Sequence, residues 1–522
     1  MQPHEQRRTN MTMRFQILDE EVHLLCCRGS EAHVRIPDFH MSKPVTAIAA
    51  SAFEGNVSLK TVEIPSTVHS IGANAFLGCS NLQLVSGHPY AHREYGVSCF
   101  WENIEIGEQA FCHTALSDVM FMGGNVAVHA RAFSDCQQLA NVVFSTDCIH
   151  VSLDDACFRQ SGISSFYCPE HILLEKLPEE IFAHCENLKN VYFRAKEVMS
   201  NAFLDCVNLT ALPLAEGLSQ LISPAFSGCG LRKLHLPESL ELVASNLLLG
   251  SRIEKITVSP KNPRYRSAAN ENLLIDTLLL SVVACTPATR DPVVIPNGVT
   301  RIAPEAFANT EISSLDLNGI HLICKRAFWN SRLKFLHLPR KVLCFDEAFA
   351  NCSLKLLELH DILEESGKKV DFHNIFRNTT IDTIRYYGTY QDYKEKFIDS
   401  PQSSRAILYV QDQQGHFELA SDLVKNLMYD YVDHRSHITL TRIAGRFPYL
   451  TLPDHIHGKP VIHLGSATIP ECTQELIIPA TFTHIDPEAF CRAKNLRKIH
   501  APANLELPLQ KIPDSCQIIR QE

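Results

Sequence analysis

The chain has no apolar run long enough to cross a bilayer. Its longest, LLIDTLLLSVVAC at 273–285, is interrupted by Asp276 and falls short of the roughly 20 residues a membrane helix needs, so it is expected to be a buried pair of strands with no membrane insertion. Nor is there a basic excess. Lys and Arg number 48 against 58 Asp and Glu, a formal charge of -10, which removes the electrostatic footprint of a nucleic-acid or anionic-membrane binder. The opening residues, MQPHEQRRTNMTMRFQILDEEVHLLCCRGS, offer neither an apolar h-region nor a small-residue cleavage site, so no export signal is read there.

Cysteine is abundant but has no metal-site or redox-motif spacing. No two of the 19 stand as CxxC, the number is odd, and Cys26 and Cys27 are adjacent, which argues against a zinc ribbon, a thioredoxin-like site or a disulfide framework. Thiols at this density fit a reducing compartment, and the cytoplasm is the expected location, with the cell surface as alternative. HExxH, GxxxxGK[ST], GxSxG and GxGxxG are all absent, so no catalytic residue, cofactor or metal is assigned and a non-enzyme is expected. The pair His455 and His457 has no carboxylate or cysteine set at ligand spacing, and is read as coincidence. Carboxylate pairs at 153–157 and 363–369 read as solvated polar connections.

What the sequence does contain is one phrase written many times. SIGANAFLGCSNL (70–82) returns as RAFSDCQQL (131–139), NAFLDCVNL (201–209), PAFSGCGL (224–231), EAFANCSL (347–354) and EAFCRAKNL (488–496). Its aromatic marks Phe53, Phe76, Phe111, Phe133, Phe158, Phe182, Phe203 and Phe226, then Leu248 as a weak copy, and Phe307, Phe328, Phe349, Phe376 and Phe490. Most gaps run from 21 residues (Phe182 to Phe203) to 25 (Phe133 to Phe158), the window of leucine-rich repeats. An aliphatic five or six residues after the marker opens a segment L-x-x-V-x-I, as in LKTVEIP (59–65), LRKLHLP (231–237) and LKFLHLP (333–339). Its last apolar residues alternate as in a strand, and the proline closes the ladder. Ala75, Phe76, Cys79 and Leu82 fall at i, i+1, i+4 and i+7, which predicts a short helical turn. One copy cannot bury its own apolar face, so the copies must stack.

The pattern IPSTVHSIGANAFLGCSNL resembles the BspA-like (Treponema pallidum-type) leucine-rich repeat family. VRIPDFHMSKPVTAIAASAF (34–53) and LTLPDHIHGKPVIHLGSATI (450–469) look like its opening repeat, although Thr468 and Ile469 replace the marker Ala-Phe in the second. NPRYRSAANENLLID (262–276) looks like its strand-rich insert, and TIRYYGTYQDYKEKFI (383–398) like its terminal segment. The expected fold is a mixed α/β repeat solenoid, with a parallel sheet on one face and short helical or irregular segments on the other. Its expected organisation is an N-terminal cap region at 1–32, a main array at 33–398 with an insert near 260–290, a connecting mixed region at 399–448, and a short second array with a C-terminal cap at 449–522. Within the connecting region a linker is read at 399–405 and a helix through Leu419, Leu423, Leu427 and Tyr431.

The position three residues after each marker holds Cys79, Cys136, Cys185, Cys206, Cys229 and Cys352, and elsewhere Asn56, Thr114, Ser161, Thr310, Ser331 and Thr379. Such a set asks for a small side chain able to donate to a backbone carbonyl, not for a metal array. The outward position of each strand reads Glu63, Met120, Val143, Tyr167, Tyr192, Pro213, His235, Thr257, Asp316, His337, Glu358 and Arg385, with Phe335 in a neighbouring outward slot. Tyr167, Tyr192, His235, His337 and Phe335 are the candidate contacts for a protein partner, since interfaces enrich such rings; the other reading is that the rings cover one another and the sheet. The resemblance implies non-enzymatic binding of a protein through the sheet face. Other readings are a surface adhesin for a host or matrix protein, and an effector whose activity lies in 399–448. Partner identity and oligomeric state are not legible.

Overall fold

The computed structural model describes residues 11–87, 97–101, 103–222, 224–290, 292–360, 370–398, 406–411, 417–419, 429–443, 449–456, 458–466 and 469–521. The chain divides into two compact units, 1–289 and 290–522.

In the first unit each repeat is one turn of a three-sided coil. The L-x-x-V-x-I segment forms a strand such as Thr61–Ile64, with Val62 and Ile64 buried and Thr61 and Glu63 turned outward. Strands Ser98–Phe100, Asp118–Phe121, Asn141–Phe144, Ser165–Tyr167 and Asn190–Tyr192 stack in parallel, residue against residue, into one sheet. After the closing proline the chain makes a second, shorter strand, Ser70–Ile71 in the same repeat. These join a second parallel ladder through Lys43–Ile48, Ser70–Ile71, Ile104–Ile106, Gly124–Val128 and Cys148–Leu153. Sheet therefore lies on two sides of the coil, where the sequence predicts it on one. The hairpin Thr12–Ile17 and Val22–Arg28 covers the N-terminal end, its second strand pairing with Lys43–Ile48.

The third side carries the marker. Phe53, Phe76, Phe111, Phe133, Phe158, Phe182, Phe203 and Phe226 are all buried, and their rings stack in a column with neighbouring centroids 4.7 to 6.0 Å apart. Backbone bonds between coils accompany the rings: Phe53 N–H donates to Ala75 C=O at 2.7 Å, and Phe76 N–H to Ala110 C=O at 2.8 Å.

Of the helical or irregular segments expected on this side, the structure has the irregular form, and the helical part of the mixed α/β expectation is not confirmed. The marker segment is a chain of tight turns closed by i to i+3 bonds, such as Cys79 N–H to Phe76 C=O at 3.1 Å. Left-handed residues interrupt it on both sides: Asn74 (φ 59°) and Gly78 (φ 70°) flank Phe76, Arg131 (φ 56°) and Asp135 (φ 60°) flank Phe133, and Asn201 and Asp205 (both φ 55°) flank Phe203. A left-handed residue every fourth position cannot belong to a right-handed helix. Among the described residues the α-helices are Phe372–Ile375 and Tyr390–Lys396, the latter started by a capping box between Thr389 and Asp392. No described helix is long and apolar enough to cross a membrane.

The apolar run at 273–285 is an antiparallel pair, Leu273–Asp276 with Ser281–Cys285. Asp276, the charge that interrupts it, organises the turn. It is almost wholly buried, ion-paired to Arg264 at 2.7 Å, and accepts hydrogen bonds from the N–H groups of Leu278 and Leu279.

The second unit repeats the plan. Phe307, Phe328, Phe349 and Phe376 stack at 5.0 to 5.3 Å. Phe335–His337, Ser353–Leu359, Thr380–Tyr386 and Ile407–Gln411 form a parallel ladder. Further strands Ile438–Ile443, Lys459–Leu464 and His484–Ile485 pair in parallel, as do Tyr449–Thr451, Glu475–Ile477, Lys498–Pro502 and Gln517–Gln521. Phe490 is buried in a short 3-10 turn, Pro487–Phe490. Of the helix read through 419–431, Leu419 and Tyr431 lie on strands Phe417–Leu419 and Tyr429–Asp433, while Leu423 and Leu427, like the linker 399–405, are outside the described residues.

Candidate interaction face

Alternation along the first sheet turns Met120, Val143, Tyr167 and Tyr192 outward in one registered row. Tyr167 is 39% exposed and Tyr192 53%, and their rings tilt together with centroids 6.3 Å apart. Beyond Tyr192 the ladder stops. The next coil carries Pro213 in the outward slot, residues 210–214 form no strand, and the sheet resumes as Lys233–Leu236 paired with Lys255–Val258. Proline has no N–H to give to a ladder.

The break leaves a concavity of about 880 Å³ lined by Tyr192, Pro213, Lys233, His235, Lys255, Thr257 and Glu271. On the other side of Tyr192 and Pro213 lies a second one, of about 400 Å³, which Tyr167, Arg194 and Glu216 also line. Three of the residues chosen from sequence, Tyr167, Tyr192 and His235, thus border one interrupted stretch of sheet. Phe335 and His337 belong to the second unit.

Polar groups fix the rim. His235 Nδ1 lies 2.9 Å from Thr257 Oγ1 in the register partner strand. Arg194 donates to the carbonyls of Glu170 and Glu216, tying three successive coils. The Glu216 carboxylate accepts from the N–H groups of Glu238 and Ser239, and the Glu238 bond foremost draws its pKa below the usual range. A hydrogen bond from Lys255, at 2.8 Å, does the same for Glu271. The surface so formed is aromatic at one end and carries Lys233, Lys255 and Glu271 at the other. Arg194, Lys233, Lys255 and Glu271 were not among the residues singled out from the sequence; Pro213 in an outward slot was the signal that could have led to them.

In the second unit Phe335 is 41% exposed, with Lys355 Nζ 5.8 Å from its ring centroid. His337 Nδ1 is 3.3 Å from Glu358, whose other oxygen meets Arg385 Nη1 at 3.5 Å and the Tyr387 hydroxyl at 3.3 Å. A depression of about 400 Å³ lies beside them, lined in part by Ser314, Asp316, Phe335 and His337.

The residue three after each marker does a structural job. Cys79 Sγ donates to Phe53 C=O at 3.1 Å, Cys136 to Phe111 at 3.0 Å, Cys185 to Phe158 at 3.0 Å, Cys206 to Phe182 at 3.1 Å and Cys352 to Phe328 at 3.2 Å. Each bond ties one coil to the marker of the coil before it. Thr310 Oγ1 donates instead to Phe307 in its own coil. Burial pushes these thiols up, Cys79 and Cys185 to about 11 and Cys136 to about 12. All 19 cysteines are free. Of the pair at 455 and 457, His455 is buried in a strand beside Asp454, 3.7 Å away, and His457 is outside the described residues.

Coils of mostly 21 to 25 residues, two parallel ladders and a stacked aromatic column define a leucine-rich repeat solenoid. The model of the BspA type leucine rich repeat region matches six copies over residues 32–105, 104–197, 196–271, 289–397 and 465–519, and the chain belongs to this family. Similar solved structures include a leucine rich cell surface protein of Faecalibacterium prausnitzii (18% identity, 74% of this chain and 96% of that one, TM-score 0.39). Others are the T. pallidum leucine rich repeat protein (20%, 42% and 86%, TM-score 0.30) and the pneumococcal vaccine antigen PcpA (14%, 78% and 93%, TM-score 0.36). With TM-scores below 0.5, these likenesses say nothing about what this chain binds. No curated protein matches the chain.

Proposed function

We propose that the chain is a non-enzymatic scaffold that binds a protein partner through the outer sheet of its first unit, at the concavity where Pro213 interrupts the ladder. The supporting observation is the half-exposed pair Tyr167 and Tyr192 beside that concavity. Large rings with a polar tip bury much area at little entropic cost, and a concave neighbour gives them a pocket-sized recess to flank. The Lys233, Lys255 and Glu271 end supplies charge that orients a partner. The free buried thiols accord with a reducing compartment, and the cytoplasm is the proposed location; surface labelling of intact cells distinguishes it from the cell surface.

The test is a cross-linked pull-down from native cells comparing the wild type with a Tyr167→Ser, Tyr192→Ser, His235→Ser variant first shown to melt like it. Prey captured by the wild type and lost by the variant supports the reading. Equal capture by both means that the rings serve the sheet and the binding surface is elsewhere.

A further inference from the structure

We propose that His463, His484 and Asp486 form a site for a divalent transition-metal ion of the zinc class, built across two neighbouring strands of the second unit. Lys459–Leu464 and His484–Ile485 are parallel partners in which His463 stands directly opposite His484. Asp486, two residues further along, returns to the same side, because the intervening Ile485 is buried. Stacking thus brings together three ligand-type side chains that lie 21 and 23 positions apart in sequence (484 − 463 and 486 − 463).

The geometry is close to what a metal requires. Asp486 Oδ1 lies 3.5 Å from His463 Nε2 and 3.8 Å from His484 Nε2, and all three ligand atoms fall within 4.8 Å of one another. Bonds of about 2.0 to 2.1 Å at tetrahedral angles place ligand atoms about 3.3 Å apart. Two edges of the triangle are therefore nearly correct. The third, between two rings whose centroids are 4.8 Å apart, would have to close by rotation of His484, whose side chain is 67% exposed.

His463 supplies an independent sign. Its Nε2 is shielded from solvent and makes no hydrogen bond among the described residues, although it faces Asp486. A shielded ring nitrogen with no hydrogen bond is costly, and an ion held between it and the carboxylate 3.5 Å away would satisfy it. Two imidazoles and a carboxylate form a donor set of intermediate softness suited to zinc and its neighbours. In the first unit Cys112, His113 and Asp135 also converge, but there one donor is a buried thiol, which has to lose its proton before it can ligate. At the second-unit cluster each ligand is available without ionising a buried thiol.

Three protein ligands leave a tetrahedral ion one open position, on the solvent side beside His484. Water fills it in the isolated chain, and a carboxylate or imidazole of a bound protein would complete it. The ion would also clip two adjacent coils together.

The experiment titrates the full-length, metal-stripped chain with Co2+, followed by visible absorption, and then displaces it with Zn2+. The wild type should bind one Co2+ more than either His484→Gln or Asp486→Asn, with an intense tetrahedral d–d band that either substitution weakens at least tenfold in affinity. Cys112→Ser should leave that band unchanged. Zn2+ should raise the wild-type Tm and leave the Tm of both variants where it was. Comparison of metal-free melts shows that the variants are folded; His484→Gln, at an exposed position, keeps the test valid should Asp486→Asn fail to fold. Equal Co2+ uptake by wild type and variants, or no uptake by the wild type at micromolar metal, overturns the proposal.

Discussion

Replacing Phe203 by alanine probes the aromatic column at a ring with a stacked neighbour on each side. The ring is fully buried, stacked between Phe182 at 5.7 Å and Phe226 at 6.0 Å, with Phe193 also within 6.4 Å. Its own backbone is held by the bond to Ala225 C=O, and the turn around it is pinned by left-handed Asn201 and Asp205. The backbone therefore cannot collapse far into the space the ring leaves. Large-to-small changes at such sites cost about 3 to 5 kcal/mol, the sum of lost transfer energy and an unfilled cavity. Because each coil contacts only its neighbours, the loss should fall on the first unit around residue 203. Denaturant melts followed by far-ultraviolet circular dichroism measure it, with hydrogen exchange locating it. A loss below about 1 kcal/mol would refute the argument, since a ring so enclosed cannot be removed at that cost.

The cysteine position yields a second prediction: Cys185→Thr should be tolerated, whereas Cys185→Val, similar in size but without a donor, should destabilise by about 1 kcal/mol more, as read in the same melts, because the Phe158 carbonyl loses its inter-coil donor and keeps only the Ser161 N–H of its own coil. The buried thiols also predict alkaline sensitivity. Their folded pKa values are raised from the ordinary 9.0 to about 11 or 12, so the folded chain keeps protons that the unfolded chain has already released. Stability tied to them is full below the ordinary thiol pKa and is lost as pH rises from 9 towards 12. The Tm should fall steadily over that range, and fall less after Cys136→Ser and Cys344→Ser are combined.

Much of the coil was legible because its strongest signals are local. The marker spacing gave the period, and L-x-x-V-x-I displayed strand alternation in one short segment. The second ladder was harder to see. Strands as short as Ser70–Ile71 and Gln220–Leu221 contain too few residues to show a period of two. The helical turn misread a spacing that tight turns also produce. The corrective signal was the residue two after most markers, which is Gly, Asn, Asp, His or Gln at Gly78, Asn309, Asp135, His113 and Gln160, all with positive φ. At the interaction face, alternation placed Tyr167 and Tyr192 outward, but the concavity depends on what Pro213 does to the coils on both sides of it. The convergence of His463, His484 and Asp486 likewise depends on inter-coil register, which a linear reading does not supply.

The most direct test of the scaffold account compares faces of the first unit. A photo-crosslinking amino acid is placed at Tyr192, on the interrupted sheet, or at exposed Lys196, on strand Ala195–Val198 of a separate parallel sheet with Leu174–Leu177 and Gln220–Leu221. Each variant is irradiated in native cells. The account predicts a discrete protein adduct from position 192 and none of that mass from position 196. The same adduct from both positions, or from 196 alone, would contradict it.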